Sequence, residues 1–135
     1  MRSLNEETAQ YSRFAGKVIF DDFLQAWRSG HLSKSNFIAK RIIRGTKQAQ
    51  AALFLLAPHP LAEKAAKFRQ ELGKDEPCFV EFIIAEHYLK DGDKTEAIRL
   101  YQKCLSQMAY LEEDPWVAMH VKSRLYELTG VNVQE

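Results

Sequence analysis

The sequence predicts an all-α protein built from antiparallel helical hairpins. Apolar residues recur at helical spacing along most of the chain, and no stretch shows the alternation of apolar and polar residues that marks a half-buried strand. Glycine, proline and aspartate also divide the chain at regular intervals. With 135 residues, 46% of them hydrophobic and 27% charged, the composition is that of one globular domain covering 1–135.

The first three predicted helices are bounded by residues that favour turns. Gly30 and Gly45 each follow a helical apolar pattern, where glycine can adopt the left-handed conformation that ends a helix. Thr46 directly precedes the third helix and is placed to cap its first turn. The predicted ranges are 5–29, with a break near Gly16, 35–44 and 47–57.

The four later helices have clearer signals. Asp75 and Asp114 precede helices that carry proline in the first turn, where the missing N–H costs nothing, so both aspartates are expected to be caps. The spacing of Ala97, Tyr101 and Leu105 places these side chains on one helix face. The predicted ranges are 60–72, 77–90, 94–111 and 115–129, which brings the total to about seven helices.

A shift of 33 residues aligns the chain with itself. It superimposes Ala52 on Ala85 and Ala118, and Phe68 on Tyr101, so a small residue and an aromatic residue recur at fixed places. Repeating hairpins bury a continuous core only when they stack, and about three units are needed for stability. The sequence supplies pairs at 5–44, 47–73 and 77–111, with the helix 115–129 as a cap.

Residues 81–105 resemble a tetratricopeptide repeat, a pair of antiparallel helices with a period of about 34 residues. The likeness rests on Ile84-Ala85, Tyr88, Gly92-Asp93, Ala97, Tyr101 and Leu105. The chain departs from the family where Glu81 occupies its tryptophan position and Ala109 its closing proline position. The resemblance implies a short α-α superhelix and a non-enzymatic adaptor or chaperone-like role, in which a peptide or helix of a partner protein lies on the concave face.

The same register predicts a partner-binding groove from the first helices of each pair. The family's clamp for a C-terminal carboxylate uses basic and amide side chains near the positions of Phe82, Glu86 and Lys90, and only Lys90 is basic here, so an apolar helix or extended segment is the expected ligand. The alternative is that these side chains pack internally. The expected groove residues are Ala49, Leu53, Leu56, Phe82, Glu86, Leu89, Lys90, Met119, Lys122 and Ser123.

Charge is distributed unevenly along the chain. Residues 1–70 contain 12 Lys and Arg against 5 Asp and Glu, whereas residues 71–135 contain 7 against 13. Two alternatives follow: nucleic-acid binding by a basic segment, and head-to-tail self-association of the two halves in a homo-oligomer. The basic segment comprises Lys34, Lys40, Arg41, Arg44 and Lys47.

Reactive side chains form no recognisable catalytic pattern. No two of the four histidines stand at the three- or four-residue spacing of helical metal ligands, and two cysteines are too few for a cysteine zinc site. Cys78 begins a helix, where the helix dipole could lower its thiol pKa. We therefore expect no enzyme activity, metal or cofactor.

Because no apolar run approaches the roughly 20 residues of a bilayer span and no signal segment is seen, we expect a cytoplasmic protein without a membrane partner.

Overall fold

The computed structural model describes residues 18–107 and 114–131, and these contain seven α-helices and no β-strand, so the all-α class is confirmed. The helices are α1 (18–28), α2 (Leu32–Ala39), α3 (Lys47–Leu56), α4 (Leu61–Leu72), α5 (Pro77–Lys90), α6 (Lys94–Leu105) and α7 (Pro115–Thr129).

The predicted bounds of α3, α4, α5 and α7 agree with the structure to within one residue. The prediction of 35–44 was wrong at both ends, because α2 begins at Leu32 and gives way after Ala39 to a tighter turn. In this turn the N–H of Arg41 bonds the Ile38 carbonyl at 2.9 Å. Helix α6 ends at Leu105, short of the predicted 111, and residues 5–17 and 108–113 lie outside the described part of the chain.

Side chains cap three of the helices. Thr46 Oγ1 accepts a hydrogen bond from Ala49 N at 3.2 Å, and Asp114 accepts one from Val117 N at 3.3 Å, as predicted. Asp93 caps α6 in the same way. The prediction for Asp75 was wrong, because Glu76 occupies the cap position of α5 and its side chain forms no capping bond.

The chain divides into two compact units, unit 1 (1–56) and unit 2 (57–135), and the boundary falls inside the predicted pair 47–73. In unit 1, helix α1 buries Phe20, Phe23 and Trp27, and the rings of Phe20 and Phe23 stack with their centroids 5.9 Å apart. Helix α3 adds further buried apolar residues. Helix α2 buries only Ser35, whose hydroxyl donates to the Leu32 carbonyl at 2.9 Å.

Unit 2 is organised around α5. Helices α4, α6 and α7 all pack against it, and every residue from Cys78 to Glu86 is buried. A helix that is covered on several sides shows no single apolar stripe. Helices α4 and α6 each span 12 residues and begin 33 residues apart, and both place a buried aromatic at the matching position, Phe68 in α4 and Tyr101 in α6.

Candidate interaction surface

Two of the predicted groove residues lie in the core. Phe82 and Glu86 are 0% and 1% exposed, so no partner can contact them while unit 2 keeps this conformation. The Phe82 ring meets Trp116 edge to face at 5.6 Å and lies 5.6 Å from the His120 ring. The expectation that Phe82 and Glu86 line an open surface was wrong, because α7 covers this side of α5.

Glu86 joins three helices through a buried polar network. Arg124 of α7 donates two hydrogen bonds to its carboxylate, from Nε at 2.9 Å and from an Nη at 3.0 Å. The Tyr101 hydroxyl of α6 donates a third at 2.7 Å. Burial opposes the charge of Arg124, but the hydrogen bonds and charge of Glu86 outweigh it and raise the guanidinium pKa. This network fixes α7 against α5 and α6.

A second ion-pair cluster joins α4, α5 and α6. Arg69 binds both carboxylate oxygens of Glu81 at 2.9 Å, and Lys103 Nζ lies 3.2 Å from one of them. Burial would raise the pKa of Glu81, but the hydrogen bonds and charges of Arg69 and Lys103 prevail and lower it. Glu81 therefore holds α4, α5 and α6 together by charge.

The outward face of α7 carries apolar side chains. Val117, Val121 and Leu125 of this helix are buried against the rest of unit 2. Met119 and Tyr126, which lie on the opposite side at the seven-residue spacing of one helix face, are 59% and 55% exposed. We call Met119, Lys122, Ser123 and Tyr126 the α7 face; Lys122 is half-buried and Ser123 is exposed.

The other predicted groove residues are accessible to different degrees. In unit 1, Leu53 is 72% exposed, while Ala49 and Leu56 are half-buried. In unit 2, Leu89 is half-buried and Lys90 is exposed at the end of α5. The accessible groove residues are therefore divided between the two units.

The predicted basic segment lies in unit 1. Lys34, Lys40, Arg41 and Arg44 are exposed, and Lys47 is half-buried in the first turn of α3. The sequence analysis did not single out Leu32, Phe37 and Ile43, which are exposed among these cations, nor Tyr126 on the α7 face. For Leu32, Phe37 and Tyr126, the signal was an apolar residue outside the core-facing side of its helix, whereas Ile43 lies in the turn after α2.

The structure shows the surroundings of both cysteines and of two histidines, His87 and His120. Both thiols are buried and unbridged, and burial, with smaller effects from Asp114 and other acidic groups, raises the pKa of Cys78 to about 11. The effect of burial on this pKa therefore exceeds any lowering by the helix dipole. His120 packs on Trp116, with ring centroids 4.3 Å apart, and His87 Nδ1 lies 3.3 Å from Asp91.

Neither a metal cluster nor a spanning helix is found in the described ranges. Among residues 18–107 and 114–131, no three His, Cys, Asp or Glu side chains are grouped as metal ligands. No helix within these ranges has the length and apolar character needed to cross a bilayer.

Comparison with known proteins gives no match: no family model, curated protein or solved structure is significantly similar to this chain. The resemblance of residues 81–105 to the tetratricopeptide repeat therefore stays a prediction from the sequence.

Proposed function

We propose that this chain is a cytoplasmic, non-enzymatic protein–protein interaction module of the adaptor or chaperone-like kind, and that unit 2 forms one end of a tetratricopeptide-like helical stack. The supporting observation is the exposed apolar α7 face. A terminal helix that only closes an array has a polar outer side. Here, Met119 and Tyr126 instead stand exposed on that side.

The α7 face has the rigidity that a docking surface needs. Arg124 is held by Glu86 from the opposite side of the helix, and Val121 and Leu125 are buried beneath it. A surface that is ordered before binding loses less conformational entropy on association. Methionine and tyrosine are also enriched at protein interfaces, where tyrosine combines a large apolar area with a polar end.

The chemistry of this face favours an apolar helix or extended segment as the ligand. Met119 and Tyr126 supply the apolar contacts, Ser123 lies between them, and Lys122 borders them. A carboxylate clamp is not supported, because Glu86 is committed to Arg124 inside unit 2.

Site-specific photo-crosslinking tests this proposal. A benzoylphenylalanine at position 126 should form an adduct with one defined protein in cells that express the chain. The adduct should disappear when Met119→Asp is added, because a charge in the centre of the interface opposes binding. An adduct of twice the chain's own mass would identify the partner as a second copy.

The control places the same crosslinker at Gln102, which is exposed on α6 and is not part of the α7 face. Equal adducts at positions 102 and 126, or an adduct at 126 that survives Met119→Asp, would show that the α7 face is not a specific interface.

A further inference from the structure

The segment 23–62 contains no Asp or Glu, although 18 of the chain's 135 residues are acidic. Asp22 and Glu63 are the acidic residues that bound this stretch of 40 positions, which holds six Lys and Arg. The segment is therefore positively charged, although Asp21 and Asp22 directly precede it. A surface built from its cations favours an anionic partner.

The cations lie among protruding apolar side chains. Leu32 and Phe37 of α2 are each 64% exposed, and Ile43 in the following turn is 50% exposed. Exposed cations border them: Lys34 on the same helix, and Lys40, Arg41 and Arg44 between Phe37 and Gly45. We call these seven residues the α2 surface: Leu32, Lys34, Phe37, Lys40, Arg41, Ile43 and Arg44.

The apolar side chains of the α2 surface protrude into solvent. Phe37 lies about 160° around the helix axis from Ser35, the one buried residue of α2, so its ring stands at the outermost point. A side chain that lines a groove is partly covered by the walls of that groove, whereas Leu32 and Phe37 keep nearly two-thirds of their area in solvent. This shape suits a deformable partner that closes around protruding side chains.

We propose that the α2 surface binds the surface of an anionic lipid bilayer, with Phe37 and Ile43 entering the headgroup region and the flanking cations contacting acidic headgroups. Interfacial binding of this kind combines buried apolar area with attraction to anionic lipid and needs no spanning helix. The sequence-based expectation of no membrane partner rested on the lack of a span and does not bear on this surface. Phosphates of a nucleic acid would account for the cations but not for the exposed Ile43.

Co-sedimentation with lipid vesicles tests the proposal. The full chain should bind vesicles of 30% phosphatidylserine in phosphatidylcholine, and bind pure phosphatidylcholine far more weakly. Lys40→Gln, Arg41→Gln and Arg44→Gln together should weaken binding about a hundredfold, at about two-thirds of a decade per charge. Phe37→Ser should weaken it at least about tenfold.

The matched charge control is Lys67→Gln, Lys74→Gln and Lys94→Gln, which removes three exposed lysines of unit 2 and should leave binding unchanged. Val131→Ser is the control for Phe37→Ser, since it removes an equally exposed apolar side chain from the other unit. Absence of binding to the acidic vesicles, or an equal loss in the control variants, would overturn the proposal.

Insertion is measured separately with an environment-sensitive dye. Ser33→Cys places a reactive thiol beside Phe37 on the exposed face of α2, and the two native cysteines are buried, so labelling is selective. The dye should shift to the blue and brighten on acidic vesicles. No dye response despite co-sedimentation would overturn insertion, and tighter binding to polyuridylic acid, lost in the triple charge variant, would assign the surface to nucleic acid.

Discussion

Replacement of Arg124 by methionine should destabilise unit 2 more than any exposed charge change. Methionine keeps most of the side-chain volume but leaves the Glu86 carboxylate, which is 1% exposed, with the Tyr101 hydroxyl as its remaining hydrogen-bond donor among the contacts described above. Breaking a buried ion pair on one side costs about 3–5 kcal/mol. We expect about 3 kcal/mol, the lower end of that range, because the Tyr101 bond is retained.

The assay is urea unfolding followed by far-UV circular dichroism and by tryptophan fluorescence. Trp116 packs beside Phe82 in unit 2, whereas Trp27 is buried in unit 1, so Trp27→Phe gives a background that reports on unit 2. At typical urea dependences of about 1–3 kcal/mol per molar, Arg124→Met should lower the midpoint by about 1 M or more. The slope of the transition should not change.

A double variant distinguishes the stability lost by breaking the ion pair from the stability lost through any substitution at these positions. Glu86→Leu with Arg124→Met replaces both charges by apolar groups, which is often close to neutral for a buried pair, so most of the stability should return. Arg99→Met, which breaks an exposed pair with Glu96 on α6, should leave the midpoint unchanged. The reasoning is refuted if Arg124→Met behaves like Arg99→Met, or if the double variant is as unstable as the single one.

Three further outcomes are expected. Ala85→Leu should destabilise unit 2 by about 1–3 kcal/mol in urea unfolding, because Ala85 is 0% exposed and has no room for the added atoms; an unchanged midpoint would contradict this. Glu81→Gln should lower stability at neutral pH, and this deficit should shrink as the pH falls below the unfolded value of about 4.3, because a lowered carboxyl pKa adds stability that is lost as the pH falls through the folded value. A constant difference from pH 3 to 7 would contradict it. Cys78 and Cys104 should react with Ellman's reagent at pH 8 far more slowly in the native protein than in urea, because burial raises the pKa of both thiols; equal rates would show that they are accessible.

The helix ends could be predicted because their signals are local. Asp114 followed by Pro115 caps and starts α7 through atoms within one turn, and the left-handed Gly130 ends it, with φ of 72°. The end of α2 was mispredicted because the apolar spacing continues through Ile42 and Ile43, although the backbone there already follows i to i+3 bonds. The apolar composition of Ile42 and Ile43 does not distinguish a continuing α-helix from a turn with i to i+3 hydrogen bonds.

The placement of Phe82 could not be predicted from its helix. When a helix is packed on several sides, its apolar residues show which positions are buried but not which neighbour each one faces. Only the position of α7, with Trp116 and His120 against the ring, shows that Phe82 is internal. The apolar α7 face was predicted in part: Met119 came from the repeat register, whereas Tyr126 was overlooked.

The ion pair of α7 also determines which of its faces looks outward. The helix carries apolar residues on both sides, with Val117 and Val121 buried and Met119 exposed. Hydrophobic burial alone therefore discriminates weakly between the observed orientation of α7 and one in which the helix is rotated about its axis. A rotation by one residue, about 100°, would move Arg124 away from Glu86 and leave a buried carboxylate without its cation. Polar pairs are known to fix the register of helices in this way. The double variant Glu86→Leu with Arg124→Met should therefore keep its stability while its orientation loosens, and a thiol introduced as Val121→Cys should become reactive in that variant but stay protected when the ion pair is intact. Equal protection in both backgrounds would mean that shape complementarity, and not charge, holds the α7 face outward.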